Sequence, residues 1–186
     1  MALMTPSDHA LQALTWVDPV TVMDVHTVSN PNVHSRRLVG DISQPQKKSD
    51  IHGTNAFMVP FGKDELLGMA HFHRPSDRKE NEFARFGHHY THAFYTITTD
   101  TPYRLKRISP EFVLPSHRHP DDAEVIQFIS GLEVDGDDVI IAWGINDCEG
   151  AAGKLGVNFV QEFMRNVPEG SQVADLMKTE ENGKVK

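Results

Sequence analysis

Histidine stands out in this chain, in number and in placement. Of eleven imidazoles in 186 residues, eight fall between His26 and His92, and two more form the pair His117 and His119. Imidazole is the commonest metal ligand and the side chain that titrates near neutrality, so the clustering calls for an explanation. The tightest spacing is His117-Arg118-His119 with Glu124 downstream. On a strand, an HxH pair sets both rings on one face, and the glutamate adds a hard oxygen donor. Two further groups alternate in the same way. Leu67, Met69, His71 and His73 share one face of a segment, and His88, Tyr90, His92 and Phe94 share one face of another.

The elements that carry these residues read as strands, because a period of two dominates the chain. Residues 16–28 contain the β-branched run Val20-Thr21-Val22. Residues 56–61, the turn Gly62-Lys63-Asp64 and residues 65–73 read as a hairpin. Residues 74–87 form a polar loop, 88–98 a strand, Asp100-Thr101-Pro102 a turn, and 103–108 a further strand. Apolar runs at 124–128 and 131–134 precede the turn Asp135-Gly136-Asp137 and a strand at 139–144. Residues 41–50 read as a loop, and 153–165 suit either period. A short helix is expected at 171–178, capped by Ser171, ahead of a charged, disordered tail at 180–186. The expected organisation is an N-terminal segment 1–15, an all-β domain 16–165, and a terminal stretch 166–186.

Several strings then acquire a family likeness. Gly87-His88-His89-Tyr90-Thr91-His92-Ala93-Phe94-Tyr95 is followed by Gln127-Phe128-Ile129-Ser130-Gly131-Leu132, Asp135-Gly136-Asp137 and Trp143-Gly144-Ile145-Asn146-Asp147. In these the chain resembles the later blades of five-bladed β-propeller glycoside hydrolases and phosphorylases, the mannoside-phosphorylase type in particular. His52-Gly53-Thr54-Asn55 through His71 resembles the opening of an earlier blade, with Asn55 where Pro is commoner. The likeness covers residues 16–150.

The resemblance implies antiparallel four-stranded blades around an axial funnel. About two and a half blades are expected, over 16–39, 51–108 and 124–165, with the remaining blades supplied upstream by a longer chain or by an oligomer. It implies a glycan or glycoside as ligand. His52, Thr54, Asn55, Gln127 and Ser130 become candidate funnel residues, with His71, His88, Tyr90 and His92 beside them. Trp143, Tyr90 or Tyr95 would offer an aromatic plane to a sugar ring while short polar groups bind hydroxyls. Asp147 is the candidate catalytic carboxylate. The family's general acid, which sits in an early blade, has no counterpart, although glycoside cleavage ordinarily needs two carboxyls, or one with phosphate as nucleophile. Phosphate is thus a possible co-substrate, held by His88 or His89, and no other cofactor is implied.

Two alternatives stand beside this reading. His117, His119 and Glu124, with Gly131 beyond, resemble the first metal motif of cupins, which implies a barrel holding a divalent metal. The downstream His of the second cupin motif is absent. The other alternative is a non-catalytic protein-interaction domain. Composition narrows the field further. A net charge of −8 disfavours nucleic acid. No apolar run approaches the ~20 residues of a membrane span. The single Cys148 excludes an internal disulfide. With no basic-then-apolar leader in view, a reducing compartment such as the cytoplasm is expected.

Overall fold

The computed structural model describes residues 2–5, 11–25, 38–39, 51–53, 55, 57–73, 90–114 and 126–169. Three antiparallel sheets follow one another along the chain. The first runs in sequence order through β1 (Ala2–Met4), β2 (Gln12–Val17), β3 (Val20–Asp24) and β4 (Leu38–Val39). The second is built from β5 (Ile51–Gly53), β6 (Val59–Pro60), β7 (Glu65–His73), β8 (Tyr90–Thr98) and β9 (Leu105–Ile108). The third comprises β10 (Gln127–Asp135), β11 (Asp138–Ile145) and β12 (Glu149–Gly156). A helix, α1 (Val157–Phe163), then leads into β13 (Arg165–Asn166), which returns to the β9 edge of the second sheet. Among the described residues the architecture is mainly β, with one short helix. The second sheet draws its strands from 51–108 together with β13, and the third draws its strands from 127–156.

The second sheet is the middle layer, and its sequence shows why. Strict alternation on β7 sends Leu66, Ala70 and Phe72 to one core and Leu67 and Met69 to another. On β8, Ala93, Tyr95 and Ile97 join the first core while Phe94 joins the second. A strand apolar on both faces is stable only when both faces are covered. The first sheet covers one with Leu14, Val17 and Val22. The third covers the other with Ile129, Val139, Ile141 and Ile145. Each fully buried side chain of this size is worth about 1.5–3 kcal/mol.

Local chemistry fixes the details. Gly62 at φ 67° and Asp64 at φ 61° make the turn into β7, as Gly-Lys-Asp suggests. The apolar runs at 124–128 and 131–134 meet in one strand, β10, over Gln127–Asp135, because Ser130 is taken up in a bulge rather than a break, while residues 124 and 125 lie outside the described residues. The ambiguous stretch 153–165 divides, β12 ending at Gly156 and α1 starting at Val157 to bury Val160. The expected boundary at residue 16 falls inside β2, so the segment 1–15 contributes β1 and most of β2. The loops 41–50 and 74–87, the helix at 171–178 and the tail at 180–186 lie outside the described residues.

Two contacts in the middle sheet are close enough to test. Gly68 faces Tyr95, and a Cβ there would stand 2.4 Å from Tyr95 Cζ and 2.7 Å from Met58 Sδ. Tyr95 is fully buried, its hydroxyl 3.2 Å from Met58 Sδ, and burial pushes the phenol up. Gly68→Ala is therefore expected to destabilise by about 1–3 kcal/mol through overpacking, read as a lowered urea midpoint.

At the far end of β7, burial pushes the Glu65 carboxyl up, but the Thr96 hydroxyl, Arg107 and Lys106 outweigh it and hold the group below its ordinary 4.5. Arg107 donates through Nε at 2.8 Å and Nη2 at 2.7 Å, and Lys106 lies 3.2 Å away. A depressed carboxylate contributes stability above its unfolded value and loses it as pH falls through the folded value. The stability gap between the natural chain and Glu65→Gln should thus be full at neutral pH and close below about pH 4.5, as followed by urea titrations across pH.

Candidate functional site

The middle sheet sets its histidines in a row. His52 on β5 pairs across to His71 on β7, and His71 pairs across to His92 on β8. Directly opposed residues of an antiparallel pair share a face, so these three imidazoles look the same way. His52 and His71 are half-buried, with rings 5.3 Å apart and 19° from parallel. His92 is buried and turns toward Phe112, 6.1 Å away, whose backbone exchanges two hydrogen bonds with its own.

Other rings extend the pair in both directions. The ring of Trp16, from β2 of the first sheet, meets that of His52 in a T-shaped contact at 4.3 Å and 76°. The Trp16 indole is fixed by donating to the Asp18 carbonyl at 3.0 Å. On the other side, Tyr90 meets His71 at 5.5 Å and 76°, and Phe128 of β10 meets it at 5.5 Å and 52°. Tyr90 and Phe128 stand edge to face at 6.4 Å. Five rings from all three sheets thus make one ledge. Phe128 is 40% exposed, an aromatic at an outward position of its strand, so the ledge is open to solvent at that end. Its polar atoms are imidazole nitrogens and a phenol, and its faces are aromatic planes.

The structure brings His52, His71 and Tyr90 together and gives several other expected site residues different tasks. Asn55 is buried, its Oδ1 accepting from the Met69 amide at 2.8 Å and its Nδ2 donating to the Phe57 carbonyl. Gln127 is buried as a two-pronged clasp, donating to the Leu114 carbonyl and accepting from the Leu114 amide, both at 2.9 Å. A carboxamide that replaces a missing strand neighbour satisfies backbone groups that burial would otherwise strand. Trp143 is buried in the core between the second and third sheets, with its six-membered ring over Gly153. Tyr95 is sunk in the other core. Ser130 is exposed at the bulge.

Asp147 lies in the turn between β11 and β12, where Asn146 and Asp147 take φ 49° and 57°. It is exposed, and Asn146 accepts from the Ile126 amide at 3.0 Å. Asn-Asp at this position suits left-handed turn geometry. Thr54, His88, His117, His119 and Glu124 lie outside the described residues. Among the described residues, no group of three or more His, Cys, Asp or Glu is placed to share a metal ion, and no helix is long and apolar enough to cross a membrane.

Two members of the ledge were not singled out by sequence reasoning. Trp16 reads only as the start of a strand. Phe128 reads as the end of an apolar run, although its position beside the inward Gln127 marks it as outward-facing once the strand's phase is set.

Comparison with protein-family models, with curated proteins and with solved structures finds no match. Gln127→Leu leaves the Leu114 amide and carbonyl without their partner, so a loss of about 2–4 kcal/mol is expected, measured as a fall in the denaturation midpoint.

Proposed function

We propose that this chain binds a glycan on the ledge formed by Trp16, His52, His71, Tyr90 and Phe128, within a propeller-type array of sheets. One observation carries the reading: part-exposed aromatic rings, Trp16 on one side and Tyr90 and Phe128 on the other, flank a half-buried pair of imidazoles. A sugar offers an apolar ring face and a rim of hydroxyls, and such a surface meets both. The propeller part of the proposal is supported by topology. The strands of the first and third sheets, and β7–β9 in the second, run up and down in chain order, as blades do.

The reading is one of binding rather than cleavage. Glycoside hydrolysis needs carboxyls at a fixed separation, and the candidate Asp147 sits on an exposed turn rather than in the ring cluster. Phosphate as co-substrate belongs to the same proposal and would engage His88 or His89.

Binding is tested with a glycan array and with calorimetry on manno-oligosaccharides, using the full chain. Phe128→Ala and Tyr90→Ala are each expected to weaken binding about tenfold, the effect of losing one aromatic contact, with little change in melting temperature. Folded protein that binds no glycan in either assay would contradict the proposal.

A further inference from the structure

The geometry points to a second property of the same row: His52 and His71 form a two-imidazole site for a borderline divalent transition ion, Zn2+ or Cu2+. This rests on the imidazole pair alone and not on the glycan reading. The two residues are directly opposed across β5 and β7, which fixes their Cβ atoms at about 4.5–5.5 Å. Their rings lie 5.3 Å apart and 19° from parallel, and both are part-exposed.

Imidazole is the donor these ions favour, with Cu2+ above Zn2+ in intrinsic affinity. The ring torsion of histidine is broad. A Zn–N bond requires about 2.0–2.1 Å, so the ion would be held with each ring turned about that torsion. The strands hold the pair in place, so an ion need not organise the backbone in order to bind. Two protein donors leave the remaining positions to water. A net charge of −8 raises the local concentration of divalent cations around the chain. Tyr90, whose ring lies 5.5 Å from that of His71, borders the site on the β8 side, and Trp16 closes the side of the first sheet.

The test uses the full chain, stripped with chelator and titrated separately with Zn2+ and Cu2+ without any sugar present. Calorimetry gives the affinity, and elemental analysis after dialysis gives the metal carried per chain. One equivalent is expected, with affinity falling at least tenfold in His52→Gln and again in His71→Gln. As a check that does not depend on the folding of a variant, the imidazole 15N resonances of His52 and His71 in the natural chain should shift on adding Zn2+. The inference is overturned if the ion does not bind or if both variants bind it unchanged. It is also overturned if the loss occurs only in His117→Gln and His119→Gln, or if the His52 and His71 resonances stay still while others move.

Discussion

The register between β7 and β8 is the constraint on which the rest of this molecule depends. Glu65 through His73 pairs residue for residue with Thr98 through Tyr90, without a bulge. Side chains alternate with period two, so slipping one strand by a single residue would send each of its core residues to the other face. Here both faces are buried, one under the first sheet and one under the third, and both would be disrupted together. That double requirement makes the register hard to shift. The same register stands His52, His71 and His92 in a row, because β5 takes its alignment from β7.

Around this frame, polar side chains satisfy backbone that the sheets leave unpaired. Asn55 serves Met69 and Phe57, Gln127 serves Leu114, and Ser109 accepts from the Phe94 amide at 2.9 Å. Gln12 links the first two sheets: it accepts from the Tyr103 hydroxyl at 2.7 Å and donates to Asp24 at 2.9 Å. A buried amide or hydroxyl without a partner costs more than a made hydrogen bond gains, so these residues keep the layers in fixed relation. The ring ledge benefits, since its five members come from three separate sheets and keep their spacing only if the layers do.

The sequence made some of this legible and hid the rest for physical reasons. β7 was readable to the residue, because Gly62-Lys63-Asp64 marks its start and the alternation through Met69, His71 and His73 is clean. β12 was hidden: Glu149-Gly-Ala-Ala-Gly-Lys-Leu-Gly156 carries little β propensity, and its strand state is imposed by pairing with β11. β1 is three residues long and gives no periodic signal. Asn55 and Gln127 illustrate the limit for sites, since a carboxamide that clasps backbone and one that binds a sugar look alike until burial is known. Trp16 and Phe128 join the ledge only through contacts between sheets, which no local pattern encodes.

The most direct measurement is an aromatic 1H–13C correlation spectrum of the full chain, titrated with manno-oligosaccharides. Shifts are expected at the rings of Trp16, His52, His71, Tyr90 and Phe128, and none at Phe159, which is 53% exposed on α1 and outside the ring ledge. Shifts at Phe159 with the five rings unmoved, or no shift at any ring, would contradict binding on the ledge.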